Sequence, residues 1–240
     1  MNILITGTSS GIGHGLAQEY LNRGHYVWGI SRRPAPDLAE NKNYQHQQLD
    51  LTTYSSVRHT IPEFISNASG LDLVILNAGV LGDIKRMDEL DVKAMKQAME
   101  INVWANKVLL DVLLQTITNI KQVVGISSKL SQYTSPGWGP YSVSKAALNM
   151  LMTVYAEEYP GTHFTAFGPG PIDSEIQETI SEIQDTQKYP KIKDLQDMRK
   201  SGEMPNSVEA APALIKAMGK TLEFDSGQFL DILDLQDKQV

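Results

Sequence analysis

The chain has 240 residues, of which 41% are hydrophobic and 20% charged, with a formal net charge of -7. That length suits one large α/β domain and a sizeable core, while the acidic balance argues against nucleic acid as a partner and leaves any phosphate to a few placed donors. Cysteine is absent, which excludes disulfides, thiolate metal sites and cysteine nucleophiles, and no metal is expected. No stretch reaches the roughly 18 apolar residues of a membrane helix, and the apolar run at Met1–Ile5 is too short for a signal peptide. A cytoplasmic protein with no membrane partner is the expectation.

Short apolar runs alternate with helical patterns. Asn2 to Thr6 reads as a strand that enters a glycine-rich turn, followed by a helix from about Ile12 to Arg23, which Gly24 stops. His25 to Ile30 is a second strand, and Tyr44 to Leu49 a weaker third, diluted by Gln and His. Thr53 to Asn67 is helical although Pro62 lies inside it, and Leu71 to Leu76 is a nearly continuous apolar run, as in a strand buried on both faces. Met87 to Thr118 is a long helical region of one or two helices. Gln122 to Ser127 is a fifth strand, Pro140 to Tyr159 a helix and Thr162 to Phe167 a sixth strand. Residues 174–205 are polar and irregular, either a solvated helical insertion or a lid over a substrate pocket. A last strand falls near Gly227–Ile232. The alternation predicts a single Rossmann-type, doubly wound α/β domain over 1–240, with a seven-stranded, mostly parallel sheet and helices on both faces.

The first turn reads Gly7-Thr8-Ser9-Ser10-Gly11-Ile12-Gly13. Its glycines let the backbone bend sharply and approach a pyrophosphate, and the free N–H groups of the next helix face the phosphates. A glycine cluster between the first strand and first helix is the context of a dinucleotide site. NAD sites carry an acid at the end of the second strand to hold the ribose 2′-OH. Here that strand ends Ser31-Arg32-Arg33, with no acid. Guanidinium groups there suit a 2′-phosphate, so NADP(H) is expected over NAD(H), with Arg32 the first candidate.

Tyr141-Ser142-Val143-Ser144-Lys145 sets a phenol and an ammonium on one helix face. A nearby cation is expected to lower the phenol pKa from its usual value of about 10. Ser128, thirteen residues before Tyr141 at a strand end, is placed to hydrogen-bond a substrate oxygen.

Together these residues make the chain resemble the short-chain dehydrogenase/reductase family, in which Gly-x-x-x-Gly-x-Gly is the coenzyme signature. The likeness runs from Asn2 to about Ser174. It implies catalytic residues Asn102, Ser128, Tyr141 and Lys145, with Asn102 holding a water in a proton relay and Lys145 also meeting the nicotinamide ribose. It implies further coenzyme contacts at Asp50 and Leu51 near the adenine, at Asn77-Ala78-Gly79 after the fourth strand, and at Pro169, Gly170, Ile172 and Ser174 after the sixth. Ser174 stands where the family has Thr, and Pro171 stiffens that loop. The implied activity moves a hydride between a nicotinamide and a small carbonyl or alcohol substrate. Tyr133, Trp138, Pro171 and Met204 are candidates to line the substrate pocket, each with plain packing as the alternative. Other readings are a non-catalytic NADP-binding redox sensor, or a sugar-nucleotide epimerase or dehydratase on a related fold. The apolar surplus at Val103, Trp104, Val108, Leu109, Leu110, Val112, Leu113 and Leu114, and at Ala146, Ala147, Leu148, Met150, Leu151, Met152, Val154 and Tyr155, predicts a homodimer or homotetramer built on two helices that form the main interface in the family, with cover by residues 174–205 of the same chain as the alternative.

Overall fold

The computed structural model describes residues 1–236. Seven strands form: β1 (Asn2–Thr6), β2 (Tyr26–Ser31), β3 (Tyr44–Gln48), β4 (Leu73–Leu76), β5 (Gln122–Ile126), β6 (His163–Gly168) and β7 (Phe229–Asp231). They pair in the order β3-β2-β1-β4-β5-β6-β7, and every pairing is parallel. The chain therefore winds one way from β1 to β3 and then crosses back to start again at β4. The connections leaving β1 and β4 turn to opposite faces of the sheet, which opens a crevice beyond their carboxyl ends.

Alternate residues of each strand feed opposite faces. Leu4, Val74, Leu76 and Phe164 belong to one core, with α3 (Tyr54–Phe64), α5 (Ala105–Thr116) and α6 (Gly139–Glu158) packed over it. Ile3, Ile5, Ile75 and Phe167 belong to the other, under α1 (Gly11–Asn22) and α9 (Ser207–Lys220). This two-sided burial is why β1 and β4 are apolar at nearly every position. The remaining helices are α2 (Pro36–Ala39), α4 (Val92–Met99), α7 (Glu175–Ser181), α8 (Pro190–Ser201) and α10 (Ile232–Gln236).

Several boundaries differ from the sequence expectation. The third strand forms despite its polar residues, because Tyr44 is buried and its hydroxyl meets Thr8 Oγ1 at 2.9 Å. α3 stops at Phe64, two residues after Pro62, rather than at Asn67; proline gives no N–H to the helix ladder. The region from Met87 to Thr118 is four pieces: a 3-10 turn at Met87–Glu89, α4, a π-helical turn at Glu100–Trp104, and α5. Continuous apolar residues concealed that change of winding. The polar segment 174–205 folds into α7 and α8, and its ends meet: Asp173 N–H donates to Pro205 O at 2.9 Å, beside an Asp173–Asn206 bridge. The segment carries its own apolar cluster of Ile180, Tyr189, Ile192, Leu195 and Met204 against Leu81 and Trp138. β7 is shorter than expected, because Ile232 already begins α10.

Candidate active site

The glycine-rich turn lies at the switch point. Gly7 has φ 76°, and a Cβ there would lie 2.8 Å from Asn77 Nδ2. A Cβ on Gly13 would lie 2.4 Å from both Gly7 O and Asn77 Nδ2, so the turn is packed too closely for any side chain. Asn77 ties the ends of β1 and β4 together: its Nδ2 donates to Thr6 O at 2.9 Å, and Thr6 Oγ1 accepts from the Asn77 and Ala78 N–H groups at 2.9 Å. Ser10 caps α1 in extended backbone with no side-chain bond to the helix, leaving the first N–H groups of α1 for an anion.

A crevice of about 440 Å³ runs over this turn. Its walls include Gly7, Ser9, Ser10, Gly11 and Ile12, then Ser31, Arg32 and Arg33, then Asp50 and Leu51, then Asn77, Ala78 and Gly79, and finally Ser174. A flat anionic dinucleotide fits that shape and donor set. The polar placements are specific. Ser31 Oγ donates to Arg33 O at 2.6 Å and meets His46 Nε2 at 2.8 Å, so Ser31 shapes the arginine loop. Asp50 Oδ1 accepts from the N–H and hydroxyl of Thr52, and these bonds hold its carboxyl below the usual range. Arg33 reaches across the mouth to Glu175, with Nη2 2.5 Å from Oε1, while Arg32 makes no such pair among the described residues.

A second cavity of about 340 Å³ adjoins the first. Ser128, Tyr141 and Lys145 line it together with Pro169, Gly170, Pro171 and Ile172. Ile12, Asn77, Gly79, Val80, Ser174 and Ile176 line both cavities, which makes them one continuous cleft. Ser128 follows β5, hydrogen-bonds Tyr141, and accepts from Leu130 N–H at 3.2 Å. Lys145 is buried, donates to Ile126 O at 2.7 Å, and has its Nζ 5.6 Å from the centre of the Tyr141 ring. Asn102 sits in the π-helical turn with no exposed surface. Its Oδ1 accepts from Val80 N–H at 2.8 Å, and its Nδ2 donates to Val80 O and Ser144 Oγ, each at 2.9 Å. A Cβ on Gly79 would lie 3.0 Å from Asn102 Oδ1 and 3.4 Å from Lys145 Nζ, so these groups are near neighbours.

Two expectations are corrected. Tyr141 does not show a lowered pKa: burial pushes the phenol up to about 12, and Ser128 is what opposes the rise. Lys145 is itself pushed down to about 8 by burial. Removing water from both groups favours their neutral forms more than their mutual attraction favours an ion pair. Met204 is buried behind the pocket in the cluster of segment 174–205 and is not on its wall, whereas Tyr133, Trp138 and Pro171 are.

Sequence reasoning also missed a supporting network. Ser127 Oγ donates to Asn149 Oδ1 at 2.5 Å, Asn149 Nδ2 donates to Ser131 Oγ at 2.7 Å, and Ser131 Oγ donates to Ser128 O at 2.6 Å. It pins the turn that carries Ser128 to α6. The signal was faint: Asn149 stands one helical turn beyond Lys145, on the same face.

A doubly wound parallel sheet, a glycine turn at its switch point and a Ser/Tyr/Lys group in the same cleft define a nucleotide-binding oxidoreductase of the Rossmann type. The family model for short chain dehydrogenases matches residues 1–185, and the chain belongs to that family. A benzil reductase ((S)-benzoin forming) of Bacillus cereus is 28% identical, covering 96% of this chain and 98% of that one. The crystal structure of a short-chain dehydrogenase/reductase from Saccharomyces cerevisiae superposes with a TM-score of 0.85 at 26% identity, covering 98% of each chain. That of a Shigella flexneri short chain dehydrogenase complexed with NADP gives 0.80 at 26% identity, covering 97% of this chain and 96% of that one. The relatives give no support to the redox-sensor or epimerase readings. Among the described residues no helix is long and apolar enough to cross a membrane.

Proposed function

We propose that this protein is an NADP(H)-dependent carbonyl reductase, running in reverse as an alcohol dehydrogenase, with Ser128, Tyr141 and Lys145 at the reacting centre. The continuity of the two cavities carries this reading, since it brings the Ser/Tyr/Lys group against the end of a dinucleotide crevice. When bound, the nicotinamide supplies or accepts the hydride at the substrate carbon. Ser128 polarises the carbonyl oxygen. Tyr141, kept protonated by its buried setting, gives that oxygen a proton in reduction and takes it back in oxidation. The Lys145 ammonium beside the ring stabilises the phenolate left behind. Asn102, whose side chain makes three hydrogen bonds, holds the Val80 backbone and the Ser144 hydroxyl in place. The relative that reduces benzil supports a carbonyl substrate. A panel of ketones, diketones and aldehydes with NADPH, and of alcohols with NADP, followed at the nicotinamide absorbance, tests the assignment. No coenzyme turnover across the panel would remove it.

NADP is the proposed coenzyme because Arg32 and Arg33 line the crevice at the end of β2, and because the Shigella relative was solved with NADP. Arg33 is already paired with Glu175, which leaves Arg32 as the reader of the 2′-phosphate. Arg32→Glu should shift the ratio of catalytic efficiencies from NADPH towards NADH by roughly tenfold or more, as a charge-assisted contact is lost and a repulsion gained. An unchanged ratio would assign the phosphate to Arg33.

Segment 174–205 is proposed as the substrate lid, since Ile176, Gln177, Ile180, Lys191 and Leu195 line the second cavity. Assembly is proposed through the outer faces of α5 and α6. Val143, Met150 and Val154 stand exposed along α6, and Trp104 just before α5. Light scattering at micromolar concentration should give a multiple of the 26.6 kDa chain mass; a monomer mass would refute the interface.

A further inference from the structure

Three consecutive residues at the carboxyl end of β5 are each tied to α6. Lys145 Nζ donates to Ile126 O at 2.7 Å. Ser127, 1% exposed, gives its hydroxyl proton to Asn149 Oδ1 at 2.5 Å, with Lys145 O farther off at 3.5 Å. Ser128 is reached through Ser131: Asn149 Nδ2 donates to Ser131 Oγ at 2.7 Å, and Ser131 Oγ donates to Ser128 O at 2.6 Å. Tyr141, Lys145 and Asn149 stand on successive turns of α6. One helix thus carries the phenol, the ammonium and the amide that reaches the Ser128 turn.

The direction of this chain of bonds is fixed. A hydroxyl has one proton to give. Ser131 gives its proton to Ser128 O and therefore accepts from Asn149, so the amide nitrogen faces Ser131 and the amide oxygen faces Ser127. Ser128 Oγ accepts from Leu130 N–H at 3.2 Å, which leaves its own proton for Tyr141 or a substrate oxygen. The Ser128 carbonyl also receives Ser131 N–H at 2.9 Å. That backbone bond closes the turn on itself and says nothing about where the turn sits against α6. The Asn149 relay supplies the second constraint, and the phenol that Ser128 must meet is on α6.

We propose that Asn149 is a positioning residue for carbonyl reduction: acting through Ser127 and Ser131, it holds the Ser128 hydroxyl in register with Tyr141. Asn149 is not on the wall of either cavity, so its influence on the reaction passes through Ser128. Reacting groups work within narrow limits, and a misplacement of about 1 Å costs on the order of 10²-fold in rate. This rests on the reading of Ser128 and Tyr141 as the reacting groups.

The test uses the full chain with NADPH and whichever ketone of the panel it reduces fastest, benzil included. Asn149→Ala should lower kcat by roughly tenfold, while the NADPH dissociation constant from fluorescence titration stays within about twofold. Ser131→Ala should do the same, and Ser131→Thr, which keeps the hydroxyl, should retain the wild-type rate. In a Ser128→Ala background, Asn149→Ala should cost less than about twofold more, since the group it positions is gone. Circular dichroism reports that each variant is folded; if Asn149→Ala does not fold, Ser131→Ala takes its place in the cycle. Three results overturn the role of Asn149 while carbonyl reduction stands: an undiminished kcat, a loss of NADPH affinity as large as the loss of kcat, or a loss that recurs in full on top of Ser128→Ala. A Ser128→Ala variant with the wild-type rate, or wild-type protein that reduces no ketone, overturns the catalytic reading and this inference with it.

Discussion

Tyr141→Phe is expected to cut turnover by roughly 10²–10⁴-fold, the scale of a lost general acid, and to leave NADPH affinity within a few-fold. The ring stays, so its edge-on packing with Trp138 is preserved; only the hydroxyl and its bond to Ser128 are lost. Among the described residues the one other phenol on the wall at the reacting end of the cleft is the exposed Tyr133, which lies on a loop. Steady-state rates at the nicotinamide absorbance, with NADPH affinity from fluorescence titration, separate the two effects. Near wild-type rates would remove Tyr141 from the chemistry.

Lys145→Met is expected to abolish efficient turnover and weaken coenzyme binding, yet to raise thermal stability at neutral pH. The folded protein holds Lys145 at about 8 against its ordinary value of 10.5, so between those values the unfolded chain binds more protons and stability rises with pH. Below pH 8 the wild-type protein carries the whole burden of a buried cation. A shift of this size corresponds to about 3 kcal/mol. The hydrogen bond to Ile126 O offsets about 1 kcal/mol of that. The stability advantage of the Met variant should be fullest below pH 8 and fade as pH climbs to about 10. Denaturant midpoints measured from pH 6 to 10 check this; a variant less stable than wild type at pH 7 would show that Lys145 stabilises the fold.

What the sequence disclosed and what it hid have physical causes. β1, β4 and the glycine turn were legible because two-sided burial and a backbone packed against Asn77 leave few residue choices. The Tyr141/Lys145 pair was legible because helical spacing alone sets both on one face. The π-helical turn was not, since an extra residue in a helix leaves no mark in continuous apolar sequence. The Arg33–Glu175 pair spans 142 positions, and no local pattern announces such a contact. The direction of the Tyr141 shift was misjudged because charge can be counted in a sequence and desolvation cannot. Segment 174–205 was read as polar and irregular because its few buried residues, such as Ile180, Ile192 and Leu195, cover only one side of short helices.

The closed base of that segment has a consequence for how the protein can change. Since Asp173 and Asn206 are neighbours, residues between them form an excursion that leaves the sheet and returns to the same place. Lengthening it adds little closure cost, as that cost grows only with the logarithm of loop length. The excursion could be exchanged for another without moving β6 or α9. The coenzyme crevice, by contrast, is stitched mostly from residues across the first half of the chain and takes from the excursion just its first turn, Ser174 to Ile176, so that turn must stay while the rest is exchanged. Lineages of this architecture are thereby free to acquire new substrates by replacing one cassette while inheriting the redox machinery intact.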